Sequence, residues 1–235
     1  MVNCLVPALN GGEFFKDCIF PKLLYEVDGK PMIEVVLNNL NDIEDVNFIF
    51  VLSEEECNRF HLDSSIRVLT SGKCEIIKLS SVTQGALCSC LMAIEFINNA
   101  DPLIIANCDQ VIDVNYNDVL NSFHKQNADA GVISFESVHP RWSYIHVGSN
   151  GDVDEFAEKH PLTREAVAGF YWFRSGADFV SAAEQSILKE SSLGGKYYIS
   201  SALNELILQG KRIRSYAVPS FAYHSFYSPE RAKLK

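Results

Sequence analysis

PLIIANCDQVID, Pro102–Asp113, is the stretch that decides the fold. Five apolar or small residues run up to Asn107 and Cys108, and Asp109 stands where the run stops. A short unbroken apolar run reads as a strand buried on both faces, as in a parallel sheet covered by helices. In open parallel sheets, ligands bind beyond the carboxyl ends of the strands. A carboxylate there stays hydrated and still reaches a ligand, whereas one in mid-strand would carry a heavy desolvation cost. Its oxygens suit Mg²⁺ or Mn²⁺, which keep several waters and bridge to phosphates rather than needing a full protein cage. A cap on the helix or turn that follows is the competing reading of Asp109.

Upstream, the same alternation repeats. VNCLVPAL (2–9) reads as a strand, and Pro31 opens a helix in which Met32, Val35, Val36 and Leu40 share one face. VNFIFVL (46–52) is a second buried strand, running into the capping-box start Ser53-Glu54-Glu55-Glu56 of a short helix. IRVLT (66–70) and EIIKL (75–79) read as shorter strands, and GALCSCLMAIEFI (85–97) as one apolar helix. This β-α-β order predicts a parallel sheet with right-handed crossovers. Downstream, AGVISFES, WSYIHV, DVDEFAE and REAVAGFYWFR are strand-like, broken by turns at Asn150-Gly151 and around His160-Pro161. Helices are expected over 176–190 and 197–209, the latter closed by Gly210. The expectation is one α/β domain over residues 1–235, with a nucleotide-binding half (1–112) and a second half (113–235) that completes the pocket.

Bulk properties narrow the function. At 235 residues the chain can bury a large core. No apolar run reaches the length of a membrane span, and the N-terminal MVNCLVPALNGG lacks a basic flank and is too short for a signal peptide. A formal charge of −10 argues against nucleic-acid binding through a broad basic surface. An anionic ligand therefore needs a local cation cluster or a divalent metal. The seven cysteines all lie in the first half, without a CxxC pair and inside apolar runs. That pattern predicts buried free thiols in a reducing cytoplasm, and Cys88 and Cys90 lack the second pair that zinc would need.

In chain order, several motifs resemble those of the sugar-phosphate nucleotidyltransferases. Leu5–Gly12 is similar to that family's first strand and glycine-rich phosphate loop, Pro21-Lys22 and Gly29-Lys30-Pro31-Met32-Ile33 to the segments that follow it, and Gln84-Gly85-Ala86 to its base-contacting turn. Asp109 falls on the family's metal-binding aspartate, Glu158-Lys159 on its sugar-phosphate pair, and Ala168-Gly169-Phe170-Tyr171 on an Ala-Gly-Ile-Tyr strand. The closest likeness is to nucleotidyltransferase-like proteins of capsule and surface-polysaccharide loci, which carry a segment similar to His139-Pro140-Arg141-Trp142. The resemblance implies a three-layer, Rossmann-like nucleotide-diphospho-sugar transferase fold of GT-A type. It assigns Pro7, Ala8, Asn10, Gly11, Gly12, Gln84 and Gly85 to the nucleotide, and Glu158, Lys159 and Gly169 to the acceptor. Lys22 and Asp109 become the catalytic groups, with Mg²⁺ or Mn²⁺ on Asp109 and His224 as a second metal ligand. Nucleotides and phosphosugars are the implied partners, with homo-oligomerisation open.

The chain departs from the family at two places. Where the family loop carries an arginine for the β- and γ-phosphates, this chain has Asn10-Gly11-Gly12-Glu13, shorter by about two residues. An acidic group a few ångströms from a triphosphate is repulsive by about a kcal/mol even in water. Either Glu13 points away, Lys16 substitutes, or the triphosphate is not the ligand. At the C-terminus Ser225 stands at the family's second metal aspartate, with His224 beside it. Arg141 and Trp142 either wall the acceptor pocket or form an ordinary turn, while His61 and His124 read as structural or solvent-facing. The preferred reading is a metal-dependent nucleotidyltransferase serving surface-polysaccharide synthesis. The alternatives are a glycosyltransferase of the same fold using a nucleotide-sugar, or a non-catalytic binding module.

Overall fold

The computed structural model describes residues 1–9, 13–15 and 17–232, the side chains of Glu13 and Arg231 excepted. The first apolar run forms β1 (Val2–Ala8). A small hairpin of β2 (Glu26–Val27) and β3 (Lys30–Pro31) leads into α1 (Met32–Leu40). Then come β4 (Val46–Ser53), α2 (Glu54–Phe60), α3 (Leu62–Leu69), β5 (Cys74–Leu79), α4 (Ala86–Leu91), α5 (Ile94–Ile97), β6 (Leu103–Ala106) and β7 (Gln110–Ile112). The remainder runs α6 (Tyr116–Lys125), β8 (Ala130–Glu136), β9 (Ser143–Val147), β10 (Val153–Glu158), β11 (Glu165–Phe173), α7 (Gly176–Leu188), α8 (Ile199–Leu208), β12 (Ile213–Val218), β13 (Tyr223–Ser225) and α9 (Pro229–Ala232).

Strands β5, β4, β1 and β6 lie side by side and parallel, as the β-α-β pattern requires. β11 then runs antiparallel to β6, with β8 along its other edge and β12 parallel to β8. Because β9 also meets β11, at Ala166, the edge that β6 occupies further along is shared by two strands. The gap between them opens beyond the carboxyl end of β6, where Asn107–Asp109 emerge. Alternate strand residues feed two cores. Cys4, Val6, Ile104 and Ala106 face α1, α3 and α6, while Leu5, Leu103 and Ile105 face α4, α7 and α8. The result is a three-layer α/β fold with a mostly parallel centre.

Two predicted elements need correction. The segment 66–70 is not a strand: residues 66–69 form the second half of α3 and Thr70 is its C-cap. Leu62 and Ile66 are buried one helical turn apart, whereas Val68 is 78% exposed and cannot share a strand face with Ile66. The predicted helix over 85–97 is broken between α4 and α5. Its core contacts Leu87, Cys90 and Ala93 recur every three residues, so i→i+3 bonds from Met92 to Ser89 and Ala93 to Cys90 keep them facing inward. Helix α6, which no sequence signal had singled out, is capped by the Asn115 side chain and buries Tyr116, Val119 and Phe123. The seven cysteines are free thiols, five of them buried. Among the described residues no helix is long and apolar enough to cross a membrane.

Candidate active site

The carboxyl ends of β1 and β6 frame a cleft of about 240 Å³, lined by Pro7, Leu9, Lys22, Ala86, Ser89, Asn107, Cys108 and Asp109. Asp109 lies three residues past the end of β6, and its backbone carbonyl accepts the Phe226 N–H at 2.8 Å. Lys22 opens a 3₁₀ turn that Pro21 starts and the buried Leu23 anchors. Its Nζ donates to Asp109 Oδ2 at 2.6 Å, with the two side chains only 11% and 18% exposed, so little water competes for the pair. Burial alone would lower the Lys22 pKa, but the charges of Asp109 and Cys108 and the hydrogen bond to Asp109 more than reverse that. Lys22 therefore holds its proton throughout the physiological range. Cys108 is no competing nucleophile, since burial pushes its thiol up to about 11.

A second cavity of about 180 Å³ continues from the first, sharing Ala86 and Asn107. Its wall includes Arg141, Trp142, Ser143, Glu158, Gly169, Tyr171 and Tyr198. Glu158, at the end of β10, accepts the hydroxyls of Ser143 and Ser200 on one oxygen, Oε2. Oε1 has no hydrogen-bond partner among the described residues, and Glu158 lines the cavity. Burial pushes the Glu158 carboxyl up, and the two hydroxyls oppose the shift. Lys159, in left-handed conformation at φ +54, sends its Nζ to the Tyr198 hydroxyl at 2.9 Å rather than into the cavity. Gly169 sits in the irregular middle of β11 at φ +62, where a Cβ would collide with Asn107 Nδ2 and Gln110 Oε1. Its carbonyl accepts the Asn107 N–H at 3.0 Å, so glycine is what lets β11 hold the Asn107–Asp109 turn in place.

Of the residues singled out from the sequence, Pro7, Lys22 and Asp109 meet in the first cavity and Glu158 and Gly169 in the second. Ala8 is buried at the end of β1, beside Pro7. Gly85, at φ +111, packs its Cα against the Tyr197 backbone, and Gln84 presents an exposed side chain at the same rim. Asn10, Gly11, Gly12, Lys16 and the Glu13 side chain lie outside the described residues. His224 is not brought to Asp109. Its Nε2 lies 2.8 Å from Asp113 Oδ2, because strand alternation in β13 turns it opposite to Tyr223, whose hydroxyl reaches Gln110. Among the described residues no group of three or more His, Cys, Asp or Glu side chains is placed to hold a metal. Asp109 thus offers a single carboxylate. That donor set fits a hard Mg²⁺ or Mn²⁺ ion completed by phosphates and water, not zinc, which takes three or four protein ligands. His61 joins α2 to α3, and His124 packs edge-on to Trp172 at 5.0 Å, both structural placements. Sequence reading missed Ser143, Ser200 and Tyr198, for isolated hydroxyls carry no spacing signal. A larger hollow of about 760 Å³ lined by Asp17, Cys18, Phe20, Tyr25 and Asp28 gathers none of the cationic groups, so size does not locate the site.

The family model for nucleotidyl transferases matches residues 18–217, most of the chain, Lys22, Asp109 and Glu158 included. The chain belongs to the nucleotidyl transferase family. This nucleotidyl transferase is 25% identical over 217 residues to the UTP–glucose-1-phosphate uridylyltransferase AglF of Haloferax volcanii, covering 90% of this chain and 85% of AglF. It is 26% identical over 210 residues to the bifunctional protein GlmU of Thermotoga maritima, covering 86% of this chain but 44% of that longer protein. Its fold is that of the nucleoside-diphosphate-sugar pyrophosphorylase of Vibrio cholerae RC9, with a TM-score of 0.82, 20% identity and coverage of 98% and 97% of the two chains.

Proposed function

We propose that the protein joins a nucleoside triphosphate to a sugar phosphate, releasing pyrophosphate. The observation that carries this reading is the Lys22–Asp109 pair, set where a cleft at the strand ends runs into a second, hydroxyl-lined cavity. An acceptor phosphate oxygen attacks the α-phosphorus in line, a new P–O bond forms, and the α–β bridging oxygen leaves with pyrophosphate. The barrier lies in bringing two anions together, so the protein's contribution is positioning and charge neutralisation. Lys22, protonated and fixed beside the cleft, neutralises the α-phosphate. Glu158 accepts from acceptor hydroxyls through Oε1, and Gln84 with Gly85 lines the base side. Asp109 would hold Mg²⁺ or Mn²⁺, which supplies charge neutralisation across the phosphates. Residues 1–112 carry the nucleotide and 113–235 the acceptor.

AglF supports UTP and glucose 1-phosphate as the first pair to try. The likeness of His139–Trp142 to capsule-locus proteins favours a cytoplasmic supply of activated sugar for surface polysaccharide. The glycosyltransferase alternative drew support from an Asp109/His224 pairing, and the engagement of that ring by Asp113 removes that support. The test is pyrophosphate release across a panel of triphosphates and sugar phosphates with Mg²⁺. Release with at least one pair, abolished in Asp109→Ala, is expected. Silence across the panel combined with hydrolysis of a nucleotide-sugar would overturn the reading.

A further inference from the structure

Granted that nucleotidyltransfer reading, we propose that Arg141 is the side chain that receives the phosphate of the acceptor. Resemblance gave this role to Lys159, whose Nζ is tied to the Tyr198 hydroxyl and which does not line the second cavity. Arg141 does line it. Of the two cations on the cleft walls, Lys22 is neutralised by Asp109, whereas Arg141 has no carboxylate within ion-pair distance among the described residues. Its partners are the His139 ring, whose Nδ1 accepts from Arg141 Nε at 3.2 Å and whose Nε2 lies 3.4 Å from Nη2, and the faces of Tyr227 and Trp142, 3.7 and 5.5 Å from the guanidinium carbon. In a chain of net charge −10, an arginine left without an anion at the mouth of a phosphate cleft is out of the ordinary.

The stacking suits the task. It occupies the flat face of the guanidinium, and the His139 ring takes Nε and, at 3.4 Å, Nη2. Nη1 has no partner among the described residues, and a phosphate that drew Nη2 off the ring would be gripped through paired hydrogen bonds. Glu158 in the same wall would repel an incoming phosphomonoester unless a cation stood opposite it, and Arg141 is the cation that shares the cavity. The platform is also tied across the cleft. Phe14, just beyond Asn10–Gly12, packs edge-on to Tyr227 at 5.8 Å, so the residue that receives the acceptor rests on a ring held from the nucleotide side.

Three variants test the assignment: Arg141→Gln, Arg141→Lys and Lys159→Gln. Glucose 1-phosphate, glucose and UTP with Mg²⁺ are titrated separately by calorimetry, and KM is measured for each substrate. With Arg141→Gln, the Kd and KM for glucose 1-phosphate should rise by about tenfold or more, while those for UTP stay within about twofold. Glucose without its phosphate should not distinguish Arg141→Gln from wild type. Arg141→Lys keeps the charge but loses the paired geometry, so a rise of about threefold is expected, and it is the variant to read should the glutamine protein melt early. A smaller rise with Arg141→Gln, a rise confined to UTP, or a tenfold loss found with Lys159→Gln alone overturns the assignment. Wild-type protein that neither binds nor turns over any sugar phosphate overturns instead the activity on which the assignment rests.

Discussion

At the residue scale, Lys22 and Asp109 show how much two charges depend on each other once water is largely excluded. Removing one member of such a pair leaves the other buried without compensation, which costs roughly 3 kcal/mol. Lys22→Met is therefore expected to lower the urea midpoint at pH 7 as well as the rate. The Lys22 pKa is raised above its ordinary 10.5 in the folded protein. A raised lysine pKa contributes stability that is complete below the unfolded value and is lost as pH climbs through the folded one. Wild type and Lys22→Met should thus differ by a constant margin from pH 7 to about 9 and converge only as pH climbs past the raised lysine value. A margin that shrank already below pH 9 would contradict the pairing. Lys22 and Asp109 were both legible in the sequence, one after a Pro-Lys turn and the other at a strand end. Their mutual bond was not, since 87 residues separate them. Nor were Ser143 and Ser200, because a single hydroxyl becomes significant only when the fold sets it against a buried carboxylate.

At the element scale, β11 does more than complete the sheet. Its irregular middle at Gly169 presses against Asn107 and Gln110, so the strand supports the turn that carries Asp109. Gly169→Ala must both adopt a positive φ and displace those two side chains, at a cost of about 1–3 kcal/mol. Expected are a lower melting temperature and a larger loss of kcat than of nucleotide affinity. An alanine protein that melts and turns over like wild type would refute the support role. Apart from 66–70, the predicted strands of the parallel half are present as β1, β4, β5 and β6, because unbroken apolar runs between turn signals admit few other readings. The segment 66–70 was misread for an understandable reason. Five residues cannot distinguish period two from period 3.6, and only the exposure of Val68 against the burial of Ile66 decides it. Helix α6 went unseen because its polar face carries most of its residues. Its identity comes from the Asn115 cap and from packing under Phe170 and Trp172.

For the whole molecule, the two cavities join along Ala86 and Asn107, the first lined by residues between Pro7 and Asp109 and the second drawing most of its wall from residues between Arg141 and Ile199. A ligand spanning that junction should bind the folded state alone. UTP with Mg²⁺ at about a hundredfold its Kd should then stabilise the protein by about 2.7 kcal/mol, a rise in melting temperature of roughly 5–10 °C. The shift should vanish in Asp109→Ala, and an equal shift in that variant would remove Asp109 from the nucleotide site. The parallel strands β1, β4, β5 and β6, the three-layer class, the family and the charged residues of both cavities were determined by the sequence itself. Apolar periodicity and motif order are local properties that any chain displays along its length. Tertiary structure alone decided that His224 goes to Asp113, that Lys159 is held by Tyr198, and that Arg141 lines the second cavity without an ion-pair partner among the described residues. Side-chain direction and charge pairing depend on neighbours far apart in the chain, and only the folded sheet brings those neighbours together.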